Sequence, residues 1–112
     1  MVVGAMEGVV HTVREVIEAV LRGRGIQVKK VLLFGSRARG EAHIASDWDF
    51  LVVVDRELGF SEKWDLIDEM KRRLARLSIP NDIIIRSERE FSESRHTPGT
   101  ISFVADKEGL LV

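Results

Sequence analysis

The chain has 112 residues, of which 45% are hydrophobic and 31% charged, and its 17 Lys plus Arg nearly balance 18 Asp plus Glu. This is the composition of one globular domain, 1–112, with a core of its own, which excludes intrinsic disorder. The lack of any Cys excludes disulfides, thiol catalysis and Cys-based zinc sites, no apolar run approaches the ~20 residues that cross a bilayer, and a net charge of -1 gives no general attraction to nucleic acid.

From Glu7 to Arg24, Val9, Val13, Val16, Ile17, Val20 and Leu21 recur at three- and four-residue spacing, which predicts an amphipathic helix. Val28 to Phe34 reads as a strand with a solvated entrance at Lys29 and Lys30, stopping at Gly35. Trp48 to Val54 is nearly continuous in apolar residues, the pattern of a central strand covered on both faces. After a turn over Asp55 to Gly59, Ser61 is the expected cap of a helix to about Leu77, with Trp64, Ile67, Met70, Leu74 and Leu77 inward and Lys71, Arg72, Arg73 and Arg76 on a solvated face. Asp82 to Arg86 is a short third strand. Ser87 to His96 is polar apart from Phe91 and reads as irregular or as a frayed helix. Thr97 and Pro98 are a cap and first-turn pair for a last helix ending at Gly109.

The chemistry concentrates in Phe34-Gly35-Ser36-Arg37-Ala38-Arg39-Gly40 and, after five residues, Ser46-Asp47-Trp48-Asp49-Phe50. Glycine after a buried strand allows a sharp turn and close backbone approach by a ligand, and Ser36 stands where a helix can begin with free N–H groups. Arg37 and Arg39 add fixed positive charge, so the segment suits a polyphosphate; Gly35-Ser36 alone would be an ordinary strand-to-helix turn. Asp47 and Asp49 are two apart at a strand entrance, which aims both carboxylates to one face and Trp48 to the other. Such a pair repels itself unless a cation intervenes, and hard oxygen ligands from few residues suit Mg²⁺. An isolated Asp-x-Asp would more simply cap loop N–H groups.

For the phosphate turn to lie beside these aspartates, the first two strands must be antiparallel. A third strand parallel to the second then brings Asp82 to the same edge, and residues 55 to 81 are long enough for the crossover this requires. The expected fold is therefore α/β (α+β), a small mixed sheet flanked by helices.

The stretch from Gly35 to Phe50, with Asp82, resembles the minimal nucleotidyltransferase family of the DNA polymerase beta-like superfamily, which has Gly-Ser, then Asp-x-Asp on a strand, then a third Asp on a later strand. Phe50 departs from it, since an aliphatic residue is commoner after the second Asp. The resemblance implies a nucleotidyltransferase fold in which Gly35 and Ser36, with Arg37 and Arg39 beside them, bind the triphosphate of an NTP such as ATP. It implies that Asp47, Asp49 and Asp82 are catalytic and hold two Mg²⁺ ions, with Asp82 activating the acceptor. It further implies a cytoplasmic antitoxin that transfers AMP to a hydroxyl of a helical HEPN-type toxin and can form an oligomer with it. Two other functions fit the same motifs: an antitoxin that neutralises its partner by occlusion, and a transferase acting on a small molecule such as an antibiotic.

Overall fold

The computed structural model describes residues 4–112. In chain order the elements are α1 (Gly4–Arg22), β1 (Val28–Phe34), α2 (Ser36–Arg39), β2 (Trp48–Val54), α3 (Phe60–Arg76), β3 (Asn81–Ser87), α4 (Glu88–Ser94), α5 (Ile101–Glu108) and β4 (Leu110–Leu111). The four strands lie in the order β3-β2-β1-β4. β1 is antiparallel to β2 and to β4, while β2 and β3 are parallel and joined through α3. The mixed sheet read from the sequence is thus observed, with β4 added at one edge.

Alternation along the strands divides the core into two clusters. Val31, Leu33, Trp48, Phe50, Val52, Val54, Ile83 and Ile85 pack with residues of α1 and α3. Leu32, Phe34, Leu51 and Val53 pack instead with Phe91 of α4 and Ala105 of α5. Helices therefore cover both faces, and β2, whose Phe50, Leu51, Val52 and Val54 are inaccessible to solvent, is the central strand that its apolar run predicts. Burying each such side chain stabilises the fold by about 1.5–3 kcal/mol.

Several boundaries and contacts differ from the sequence reading. α1 spans Gly4–Arg22 among the described residues, so it extends before Glu7 and stops two residues short of Arg24. α3 is capped at Gly59, without a side-chain bond, so Ser61 lies within its first turn and is not the cap. Its buried row is Leu66, Met70 and Leu74; Trp64 and Leu77 are more than half exposed. Trp64 stands about 120° around the helix from that row at 100° per residue, and Leu77 follows the last helical turn. Of the basic residues, Arg72, Arg73 and Arg76 are exposed as expected, with Arg72 and Arg73 paired to Asp68 and Glu69 one turn earlier, whereas Lys71 is part-buried and donates to the Asn81 carbonyl at 2.9 Å. Thr100, not Thr97, caps α5 by accepting a hydrogen bond from the Phe103 N–H.

The segment after β3 is a regular helix, α4, because Ser87 and Glu90 form a capping box: the Ser87 hydroxyl accepts from the Glu90 N–H at 3.0 Å and the Glu90 carboxylate from the Ser87 N–H at 2.8 Å. The same carboxylate accepts from Lys63 of α3 at 3.2 Å. Burial alone would raise the pKa of Glu90, but the Ser87 N–H and Lys63 outweigh it and lower the value. Glu90→Ala should accordingly destabilise the fold by about 1–2 kcal/mol. Because the folded value is depressed, that stabilisation is present above the ordinary glutamate range and is lost as pH falls through the folded value. Urea melts at neutral and acidic pH should show the wild-type advantage shrinking in acid.

Candidate functional site

The register joins the two halves of the motif. Phe34 at the end of β1 lies opposite Asp49, and Asp49 lies opposite Asp82. Gly35 is therefore beside the start of β2, and Asp49 and Asp82 share one sheet edge. Asp47, Asp49 and Asp82 have the parity of Leu51, Val53 and Ile84, which places them on the α4 and α5 face. Trp48 faces α1 and α3 and is buried.

Gly35 is the N-cap of α2 with φ 77° and ψ -161°, a conformation open to glycine and strained for any other residue. Its missing side chain is also required sterically: the Asp49 carboxylate fills that space, with Cγ only 3.1 Å from the point where a Cβ would be. The Gly35 carbonyl accepts from the Ala38 and Arg39 N–H groups. The Ser36 and Arg37 N–H groups of this first turn have no helical acceptor, so a short amide-lined turn sits next to the carboxylates.

Desolvation raises the pKa of Asp49 most, followed by repulsion from Asp82 and Asp47; Arg39 opposes the rise and Glu108 adds to it. The site is thus a crowd of negative charge for which Arg39 is the nearby compensation. Among the described residues, no three acidic or histidine side chains converge into a ready metal-binding set. Asp47 and Asp82 are exposed and Asp49 half-buried, an arrangement with free carboxylate oxygens and open positions. This donor chemistry fits a hard divalent cation that takes its remaining ligands from water and phosphate.

The two arginines separate. Arg39 is at the site, donating to Glu41 at 2.6 Å and to Glu108 at 2.9 Å. Arg37 is turned to the other side: it donates to the carbonyls of Ser46 at 2.8 Å and Ile44 at 3.3 Å, and its guanidinium lies 4.3 Å from the centre of the Trp48 ring. It closes the loop that carries the chain to Asp47 and so sets the approach of β2. His43 and His96 are exposed and His11 pairs with Glu15, so none of the three joins the site. Sequence reasoning missed Glu108, because nothing near it in the chain signals that α5 ends against Gly35.

Family comparison covers most of the chain: a family model described as Polymerase beta, Nucleotidyltransferase matches residues 15–106. No curated protein matches the chain. Among solved structures, a toxin–antitoxin crystal structure with AMP-PNP is 25% identical with a TM-score of 0.47, covering 63% of this chain and 55% of the other. A crystal structure of a mutant MntA-HpeT toxin–antitoxin is 18% identical with a TM-score of 0.55, covering 88% of this chain and 70% of the other. The chain thus spans about half the length of the first and more of the second, and the second likeness extends to the fold. With the Gly-Ser turn, the Asp-x-Asp strand and the third aspartate on one edge, the match over residues 15–106 shows that this chain belongs to the polymerase beta nucleotidyltransferase family.

Proposed function

We propose that the chain is a Mg²⁺-dependent nucleotidyltransferase that moves AMP from ATP to a hydroxyl of a HEPN-type toxin, which it thereby neutralises as an antitoxin. The observation that carries the transferase reading is the register that sets the Gly35 turn, Asp49 and Asp82 side by side. The antitoxin role draws on the resemblance of the motif to minimal nucleotidyltransferases, and the two structures described as toxin–antitoxins agree with it.

In this reading the N–H groups at Gly35, Ser36 and Arg37 bind the phosphates, and Asp47, Asp49 and Asp82 would hold two Mg²⁺ ions, which when bound would supply neutralisation of the charge that develops in the transfer. Asp82, exposed at the start of β3, takes the proton of the incoming hydroxyl. That oxygen bonds to the α-phosphorus of ATP as the bond to the next bridging oxygen breaks, and pyrophosphate leaves on the Gly35 side. Asp47 and Asp82 face solvent, so a partner surface can bring its hydroxyl to this edge. Holding the reactants in line is worth roughly 7–11 kcal/mol in favourable cases, and the partner's docking would supply it.

The test is co-expression with the protein encoded next to it, followed by intact-mass measurement after addition of ATP and Mg²⁺. A gain of one or more AMP units on the partner, absent with Asp47→Asn, is the expected result. A stable complex with no mass change for any NTP would replace transfer by occlusion. Modification of a small hydroxyl compound with no effect on the partner would replace the antitoxin role.

A further inference from the structure

Glu108, the last residue of α5, reaches across the fold to the Gly35 turn. Its Oε2 accepts from the Gly35 N–H at 3.1 Å and from Arg39 at 2.9 Å. The side chain is only 24% exposed, so the contact is part of the packed structure and not a passing surface encounter. These two donors, a glycine N–H in a left-handed turn and the guanidinium beside it, are the groups that suit a phosphate oxygen. A carboxylate oxygen there presents the same charge and the same acceptor geometry. One N–H cannot serve both anions in full.

We propose that Glu108 is an affinity-setting residue of the nucleotide site: an internal anion that holds the Gly35 N–H and Arg39 until a phosphate group of the incoming triphosphate takes its place. The inference rests on the reading of the Gly35 turn as the phosphate cradle. The exchange is a side-chain movement, because the backbone on either side is tied. The Gly109 N–H donates to the Ala105 carbonyl at 2.8 Å, and the Val112 N–H donates to Val31 at 3.0 Å. Between them Leu110 and Leu111 pair with Leu33 and Leu32 of β1. In the nucleotide-free protein Glu108 also keeps Arg39 oriented toward the turn, where Asp49 and its neighbours would otherwise compete for it. Binding then exchanges one anion for another and leaves the positive groups in position.

A contact that only tied α5 to the sheet would leave ligand affinity untouched, whereas a competing anion lowers it. The measurement is calorimetric titration of the full chain with tripolyphosphate, which has no base, and with ATP, both in Mg²⁺, for wild type, Glu108→Gln and Glu108→Ala, after thermal melts establish that each is folded. The glutamine keeps an acceptor for the Gly35 N–H but loses the charge on Arg39, and the alanine loses both. Affinity should rise about threefold in Glu108→Gln and about tenfold in Glu108→Ala. In the wild type, tripolyphosphate should also shift the Gly35 amide resonance. If Glu108→Ala does not fold, Glu108→Gln alone decides. Unchanged affinity in a folded variant would reduce Glu108 to a structural tie, and weaker binding would make it part of the ligand's own contacts; either result overturns the proposal while the phosphate cradle stands. Failure of every form, wild type included, to bind either ligand would overturn the cradle and the proposal together.

Discussion

Asparagine in place of Asp49 should abolish Mg²⁺-dependent nucleotidyl transfer, lowering its rate by at least about a hundredfold, and should leave the protein folded and slightly more stable. Asp49 stands between Gly35 and Asp82 in the register, so its oxygens are the ones that can link the phosphate side of the site to the acceptor side. The amide keeps the shape and removes the charge on which cation binding depends. The stability change has the opposite sign to the activity change, for a reason visible in the electrostatics. Burial, Asp82 and Asp47 raise the Asp49 pKa, so the ionised form is disfavoured in the folded state relative to the unfolded chain. That penalty is fully present above the folded value and is relieved as pH falls through it toward the ordinary aspartate range. Asp49→Asn should therefore gain a few tenths to about 1 kcal/mol at neutral pH and converge on the wild type in acid. Urea melts at the two pH values, with Mg²⁺ titration of both proteins, measure this. Unchanged Mg²⁺ affinity would remove Asp49 from the cation site.

How much of this was legible in the sequence follows the range of each interaction. The strand spans of β1 and β2 and their pairing could be read because an apolar run and a requirement for neighbouring aspartates and phosphate turn constrain each other. The α4 helix was also legible in principle: Ser87 and Glu90 have the capping-box spacing, and the polar composition of the segment obscured it. The α3 row was misassigned because Trp64 and Leu77 look like core residues by type, while burial follows from which side faces the sheet. Arg37 shows a different limit. Its charge suggested a phosphate ligand, yet the loop carbonyls at Ile44 and Ser46 and the face of Trp48 engage it first. Glu108 lies 73 residues from Gly35, and no local pattern encodes a contact set only by where α5 ends.

Gly35→Ala is expected to be among the most damaging single substitutions in the chain, costing roughly 2–4 kcal/mol of stability and most of the transfer activity. Two separate demands meet at this position. The first is the backbone: φ is 77° and ψ -161°, a region open essentially to glycine, and an alanine held there is strained by about 1–3 kcal/mol. The second is space, since the Asp49 carboxylate fills the position of the new methyl group. Because β2 is fixed between β1 and β3, the methyl group can be accommodated only if the Asp49 side chain rotates away, and that moves the oxygens proposed to bind Mg²⁺. The two demands can be separated with a double-mutant cycle. In an Asp49→Ala background the steric part disappears and the backbone strain remains, so Gly35→Ala should cost less there, with a coupling of about 0.5–3 kcal/mol. Equilibrium urea unfolding of the four proteins gives that coupling directly. Strict additivity would mean that the turn alone requires glycine and that the methyl group fits without displacing Asp49, in which case Gly35→Ala would lower stability while Mg²⁺ affinity stayed at the wild-type level.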